Sequence, residues 1–276
     1  MRKLFILLSA VFLFVVSCDK IEPFSDGTYK TVPEVEIGGD TLESVILFEF
    51  TGWACVFCPN GHDMIHTIEA NYPDRVHAIA IHAGSFADPG NEGPDFRCQE
   101  SDDLLERFDN SDKFPGGAIN SMNLVDVKTP DAWSSDVAAA FEESKNNPQA
   151  YITFSNSNTA SIVSADITVE FTQALTGNYN LSVFVVENGV EAPQKHFSEG
   201  LIEEYVHSHI LRASMNNGII GDFVATNPTI GIEFEKSYTL NIDTEWVADS
   251  LHVIPFIYNT ETNMVIPSKI IKPKKE

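Results

Sequence analysis

The apolar positions between residues 45 and 82 follow a strand, helix, strand pattern. The nearly continuous apolar run at 45–50 predicts a buried strand. A second run at 76–81 predicts another strand. Between them, one apolar stripe indicates a helix that ends near Pro73; its members are Phe57, Met64, Ile65, Ile68 and Tyr72. We therefore expect a right-handed βαβ unit.

The next segment alternates loops and helices. Residues 83–97 are rich in Gly, Pro and Asp and predict a loop, and residues 99–108 predict a short helix. The segment 114–120 leads into a further strand. Residues 130–146 predict an amphipathic helix with Pro130 in its first turn. Its apolar face is formed by Trp133, Val137 and Phe141.

After Asn147-Pro148 the pattern changes to short alternating runs, which predict strands. These are 150–154, 161–171, 179–186, 229–234, 238–242, 251–258 and 264–271. Turn signals such as Asn188-Gly189 separate them. Short strands at this spacing are typical of a β-sandwich. We therefore place a domain boundary near residue 147, with a β-sandwich domain over 148–276.

The N-terminus has the pattern of an export signal. Arg2 and Lys3 precede an apolar run at 4–16, and the run ends at Val15-Val16-Ser17-Cys18. This box resembles the site at which a bacterial lipoprotein is cleaved and lipidated on its cysteine. We predict a signal peptide at 1–17, a membrane partner attached through lipid on Cys18, and a tether over 18–40. The alternative is an ordinary signal peptide with an incidental cysteine.

The charge of the chain limits its partners. The formal net charge is −23 at pH 7. Removal of the signal peptide would make the chain more acidic, because the peptide carries two positive charges, on Arg2 and Lys3, and no acidic residue. A strongly acidic chain repels nucleic acid, so we expect no nucleic-acid partner. The sequence indicates no cofactor.

The four cysteines are Cys18, Cys55, Cys58 and Cys98. In an exported protein the Cys-x-x-Cys pair at Cys55 and Cys58 can form a disulfide, which leaves Cys98 over. Cys58, His62 and His66 could share a helical face and bind zinc or copper, but a second ligand pair is missing. We prefer a solvated helix face for the two histidines and predict no metal. His207 and His209 alternate and would share a strand face, where a structural role is expected.

The order strand, Cys-x-x-Cys, helix, strand resembles the thioredoxin superfamily. The fuller string from Glu49 to Trp53, followed by Cys55-Val56-Phe57-Cys58-Pro59-Asn60-Gly61-His62, resembles the outer-membrane-protein-twenty-eight-related lipoproteins. The stretches 207–212 and 252–271 are similar to the second half of that family. The resemblance implies an α/β thioredoxin-like domain over 41–147, followed by an all-β, immunoglobulin-like sandwich.

Four positions would then carry the chemistry of thioredoxins. The resemblance implies that Cys55 attacks, that Cys58 resolves, that Glu49 accepts the proton of the resolving thiol, and that Pro115 is a cis-proline facing the sulfurs. The residues leave alternatives open. The pair can be a structural disulfide, Glu49 can face solvent, and Pro115 can be a trans turn proline. Pro59 also favours a helix that starts at Cys58.

Two functions follow from this sequence. The first is thiol–disulfide exchange on envelope or surface proteins by a lipid-anchored protein of the cell envelope, at the outer membrane. The second is a non-catalytic surface lipoprotein for binding or adhesion, in which the thioredoxin-like fold is a scaffold.

Overall fold

A computed structural model describes residues 41–108 and 113–271. The predicted signal peptide (1–17), Cys18 and the tether (18–40) lie outside these residues. The helices are α1 (Cys58–Asn71), α2 (Gly84–Ala87), α3 (Gln99–Arg107) and α4 (Pro130–Asn146). The first strands are β1 (Thr41–Thr51), β2 (Val76–His82), β3 (Gly116–Ile119), β4 (Ala150–Asn158), β5 (Ile162–Phe171) and β6 (Asn178–Glu187). The others are β7 (Val190–His196), β8 (Gly200–His207), β9 (Ile210–Ser214), β10 (Asp222–Thr226), β11 (Glu233–Asn241), β12 (Leu251–Asn259) and β13 (Ser268–Ile271).

Strand β1 lies in the middle of the sheet and is buried on both faces. Its residues 45–51 pair in parallel with β2, and its residues 47–50 pair antiparallel with β3. Ile46, Phe48 and Phe50 belong to one hydrophobic core, whereas Val45 and Leu47 belong to another. A strand with both faces buried carries a nearly continuous apolar run, as the sequence shows.

The predicted fold class, a thioredoxin-like domain followed by a separate immunoglobulin-like sandwich, is wrong. In the described residues, eleven strands from both halves of the chain form one sheet in the order β10-β6-β9-β2-β1-β13-β4-β5-β11, with β12 on β6 and β3 on β1. Strand β13 bridges the halves because it pairs antiparallel with β1 and parallel with β4. Each half therefore completes the sheet of the other.

The main hydrophobic core is also shared. It joins Phe48 and Ile79 of the first half to Phe184, Leu211 and Phe256 of the second. Phe48 and Phe256 meet edge to face with ring centroids 5.6 Å apart. Strand pairing between distant segments depends on edges and twist, which the periodicity of one segment does not encode. The boundary near residue 147 concerns independent folding, which only separate production of the two halves tests.

The helices cover β1 from opposite sides. Helices α1 and α4 pack on Val45 and Leu47, through a set of side chains from both helices: Ile65, Ile68, Trp133, Val137 and Phe141. Helix α3 contributes Leu104 to the opposite core. Helix α1 begins at Cys58 with Pro59 in its first turn, as the proline indicated. No helix in the described part of the chain is long and apolar enough to cross a bilayer.

The hairpin of β7 and β8 was not predicted, and the second half differs from prediction elsewhere. The strand expected at 229–234 is mostly a connection between β10 and β11. His207 ends β8, but His209 follows in the left-handed conformation (φ 61°), so the two do not share a strand face.

Candidate functional site

Cys55 and Cys58 form a disulfide at the start of α1, with Cα atoms 5.4 Å apart. Cys55 lies in the turn after β1, and Cys58 is the first residue of the helix. Both are buried, with 2% and 0% of their surface exposed. The two disulfide-bonded residues are thus almost completely buried.

Glu49 lies inside the protein, on the side of β1 that α1 and α4 cover. It is fully buried, and neither carboxylate oxygen has a hydrogen-bond partner among the described residues. The imidazole Nε2 of His62 is 3.7 Å from Oε1. Burial raises the pKa of the Glu49 carboxyl well above its ordinary value. Glu49 does not face solvent.

Gly61 lets α1 approach this carboxyl. A Cβ atom at Gly61 would lie 2.6 Å from Oε1 of Glu49 and 3.1 Å from Cβ of Pro115. The Phe114–Pro115 peptide bond is cis and immediately precedes β3. The structure therefore gathers the four residues chosen from the sequence (Cys55, Cys58, Glu49 and Pro115) around the first turns of α1.

His62 connects this group to the β7–β8 hairpin. Its Nε2 is hydrogen-bonded to Oγ1 of Thr51 at 3.0 Å, and its Nδ1 to the hydroxyl of Tyr205 at 2.7 Å. Its side chain is 13% exposed, whereas that of His66 is 60% exposed. The solvated helix face is therefore correct for His66 and wrong for His62. Burial, then nearby His207, His209 and His66, lower the pKa of His62 to about 3.

Two further buried histidines lie beside His62. The rings of His82 and His207 are 5.8 Å apart, and Phe96 contacts His207 at 4.9 Å between centroids. Burial lowers the pKa of His207 to about 4 and that of His82 well below its usual value. These rings are neutral at pH 7 and fill space as aromatic groups. No group of three His, Cys, Asp or Glu side chains in the described ranges could hold a metal.

The hairpin lies directly on the Cys-x-x-Cys loop. The amide of Lys195 donates to the carbonyl of Trp53 at 2.8 Å, and that of Phe197 to the carbonyl of Val56 at 3.0 Å. Nε2 of the buried Gln194 donates to the carbonyl of Cys55 at 3.1 Å. The sequence signal for this hairpin was a pair of glycines, because Gly189 directly precedes β7 and Gly200 is the first residue of β8, and both have positive φ in the structure.

An open groove of about 460 Å³ borders the loop on the other side. Its lining is mostly apolar and consists of Phe57, Asn60, Lys113, Phe114, Pro115, Thr129 and Pro130. A similar cleft of about 470 Å³ borders α4 and residues 259–267, away from the cysteine pair. Only the first of these, the apolar groove, adjoins the Cys-x-x-Cys loop and Pro115, so it is the one relevant to the cysteine pair.

Cys98 lies apart from this chemistry. Its Sγ contacts Oγ of Ser101 at 3.2 Å and donates to the carbonyl of Leu211 at 3.5 Å. Burial raises the pKa of the Cys98 thiol to about 11. The thiol is therefore protonated near neutral pH, and protonated thiols react slowly.

These features define a β-rich protein with a Cys-x-x-Cys disulfide on whose loop the β7–β8 hairpin lies. The sequence profile of the outer membrane protein Omp28 family matches residues 103–275, and the chain belongs to this family. The predicted family and the outer-membrane localisation in the cell envelope are confirmed. The match begins after α1, so it does not include the cysteine pair. No curated protein matches the chain.

Several solved structures match the chain, and two of them illustrate the range of similarity. HBP35 of Porphyromonas gingivalis has a TM-score of 0.63 and 19% sequence identity, over 86% of this chain and 78% of that one. A structural-genomics target from Agrobacterium tumefaciens reaches a TM-score of 0.44 at 12% identity, over 84% and 96%. The first likeness concerns the fold alone. Because it covers most of the chain, it spans both halves, in agreement with the continuous sheet.

Proposed function

We propose that this outer-membrane protein is a binding protein in which the Cys55–Cys58 disulfide is a closed structural bond. The burial of both sulfurs supports this proposal most directly. Disulfide exchange requires a thiolate to reach one sulfur of the bond. With 2% and 0% exposure, neither cysteine offers that approach while the hairpin is in place.

An exposed aromatic surface supports the binding role. Phe57 and Phe197 stack with centroids 5.7 Å apart, and more than half of each side chain is exposed. Val56 lies beside them, and Phe57 also lines the apolar groove. Contiguous exposed apolar side chains mark interaction sites. Envelope or surface proteins remain the partners that we propose for this surface.

Insulin reduction tests the closed disulfide. Native chain, dithiothreitol and insulin are mixed at pH 7.5, and insulin precipitation is followed by turbidity. We expect the native chain to match the Cys55→Ala/Cys58→Ala double variant, which gives the uncatalysed background. Precipitation clearly faster with the native chain than with the double variant would contradict a purely structural bond.

Thiol–disulfide exchange is the second candidate, and the buried Glu49 carboxyl favours it. A buried carboxyl without a hydrogen-bond partner in the described part of the chain, below the first turns of α1, could accept the proton of the Cys58 thiol when Cys58 attacks the mixed disulfide that Cys55 has formed with a partner protein. That attack closes the Cys55–Cys58 bond and releases the partner thiol, with Pro115 at the edge of the groove. If the insulin assay shows turnover, Glu49→Gln should lower it at least about a hundredfold, the low end of what general acid–base groups contribute. Unchanged turnover would exclude Glu49 from this role.

Lipid attachment at Cys18 is proposed on the basis of the Val15-Val16-Ser17-Cys18 box. A diacylglyceryl group there would hold the acidic chain at the membrane. Cys18→Ala should abolish partitioning into detergent. Unchanged partitioning would exclude this anchor.

A further inference from the structure

The β7–β8 hairpin is a side branch of the sheet. Strands β6 and β9 on either side of it pair with each other, with Glu187 opposite Ile210. The hairpin between them forms a two-stranded sheet of its own. At its base, the amide of His209 donates to Oδ1 of Asn188 at 2.6 Å. Its two ends are therefore fixed while its body is joined to the rest of the protein mainly through side chains and loop carbonyls.

The conformation at the base fits a hinge. Gly189 and His209 both have positive φ, 75° and 61°. These residues flank the body of the hairpin, where the chain leaves β6 and returns to β9. Rotation about a few residues at these two points would move the hairpin without breaking the ladder between β6 and β9.

A small number of contacts hold the hairpin down. Apart from the packing of His207 on His82 and Phe96, the main ones are the hydrogen bonds from the Lys195 and Phe197 backbone amides, the Gln194 amide on the Cys55 carbonyl, the Tyr205–His62 hydrogen bond and the Phe197–Phe57 stack. The Lys195 ammonium also lies 4.7 Å from the Trp53 ring centroid. Apart from the His207 packing, all of these contacts reach the segment from Trp53 to His62, which contains the disulfide.

The outer side of the hairpin carries no second layer among the described residues. Leu201, Glu203, Glu204 and Val206 are exposed there. The inner side carries Gln194 and His207, which are almost completely buried. A thin two-stranded element with a buried inner face and a free outer face can swing outward without displacing another element.

We propose that the β7–β8 hairpin is a hinged lid that controls access to the Cys55–Cys58 disulfide. The closed lid is the state in the structure. Opening about Gly189 and His209 uncovers the loop carbonyls, Trp53 and the cysteine pair. This device goes beyond the binding role, and it does not depend on whether the protein catalyses exchange, because it concerns access alone.

The lid makes a kinetic prediction for reduction by a dithiol. One thiolate of dithiothreitol attacks a sulfur and breaks the Cys55–Cys58 bond, which gives a mixed disulfide. The second dithiothreitol thiol then displaces the protein sulfur. Overall the cysteine pair gains two electrons and two protons, and dithiothreitol becomes a cyclic disulfide. If attack occurs only on the open state, the observed rate is proportional to the open fraction.

The test measures this rate in the full chain at pH 7.5. The variant Phe197→Ala/Tyr205→Phe removes the stack and the His62 hydrogen bond. We expect reduction about tenfold faster than in the unaltered chain, equivalent to about 1.4 kcal/mol of lid closure. The matched control is Phe223→Ala/Tyr238→Phe on β10 and β11, where Phe223 is similarly exposed. The control should react at the unaltered rate.

Hydrogen exchange at the amides of Lys195 and Phe197 provides the second measurement. In the lid variant these amides should exchange faster by the same factor as reduction, while the amides between β6 and β9 stay protected. Tyr205→Phe alone repeats both measurements if the double variant unfolds. The lid is overturned if faster exchange at these amides leaves the reduction rate within twofold, or if β6–β9 protection is lost together with them. The insulin assay is read separately, so turnover there would refute only the structural role of the disulfide.

Discussion

Glu49 combines complete burial with the absence of a hydrogen bond to either carboxylate oxygen within the described residues. Transfer of a charged carboxylate into a buried site without hydrogen bonds is costly. The Glu49 carboxyl therefore keeps its proton at pH values above its ordinary pKa. In the unfolded chain the same carboxyl ionises near its ordinary value. The difference makes the stability of the protein depend on pH at this single residue.

The sign follows from the raised pKa. Below about pH 4.5 both states are protonated and the contribution to stability is fully present. As the pH rises toward the folded pKa, the unfolded state alone loses the proton, and the free energy of unfolding falls by about 1.4 kcal/mol per pH unit. Glu49→Gln should therefore become more stable relative to the unaltered chain between pH 5 and pH 7. Denaturant unfolding at several pH values measures this difference.

The matched control is Glu142→Gln, because Glu142 is exposed. The stability of this variant relative to the unaltered chain should not rise between pH 5 and pH 7. A stability difference for Glu49→Gln that stays constant with pH would contradict the raised pKa.

The buried His62 and His207 change the stability with pH in the opposite direction. Their pKa values are lowered to about 3 and about 4, so they reduce stability as the pH falls from 6.5. The Glu142→Gln variant keeps both histidines and the Glu49 carboxyl beside His62, so it retains the contribution of the histidines unchanged.

At the scale of elements, α1 rests on β1 through Gly61. The helix can approach the Glu49 carboxyl and Pro115 because no side chain intervenes. Glycine weakens a helix interior by about 1 kcal/mol relative to alanine, so its presence here has a packing reason. The close approach also brings His62 within reach of both Thr51 and Tyr205.

Gly61→Ala should destabilise the protein although alanine is the better helix former. The new Cβ would lie 2.6 Å from Oε1 of Glu49 and also 3.1 Å from Cβ of Pro115 and 3.2 Å from the ring of Trp133, and overpacking against such groups costs about 1–3 kcal/mol. Asn60→Ala, at the exposed neighbouring position of the same helix, should be nearly neutral. Thermal unfolding compares the two. A Gly61→Ala variant as stable as Asn60→Ala would show that α1 can shift away from β1.

At the scale of the whole molecule, the two halves share one sheet and one main core. Strand β13 lies between β1 and β4, and β2 is adjacent to β9. Separation of the chain at residue 147 would expose the edges of β1 and β13, which pair with each other, and open the core between Phe48 and Phe256. Unpaired edges and open cores promote aggregation.

We therefore expect fragments 41–147 and 148–276 to be insoluble or unfolded when produced separately. Production of both in one cell should yield a soluble complex, because each supplies the missing strands of the other. Circular dichroism and gel filtration measure both outcomes. A folded, soluble fragment 148–276 on its own would instead support the boundary near residue 147.

The sequence by itself determined most local elements of the first half and named Cys55, Cys58, Glu49 and Pro115, which the structure brings together at α1. The run at 45–50, the α1 stripe and Pro130 predicted β1, α1 and α4 close to their observed bounds, because burial periodicity and proline geometry act over a few residues. The spacing of Cys55 and Cys58 likewise allowed a local disulfide, which the structure contains.

Only the tertiary structure decided how the elements join. The parallel pairing of β13 with β4 and of β2 with β9 connects distant segments, and no local period encodes such contacts. The β7–β8 hairpin was not predicted because its strands contain Pro193 and several charged residues, which are unusual in strands. Its buried residues lie on the one face that packs against the Cys-x-x-Cys loop. His62 was misjudged for the same reason, because the hairpin that covers it comes from 143 residues away along the chain.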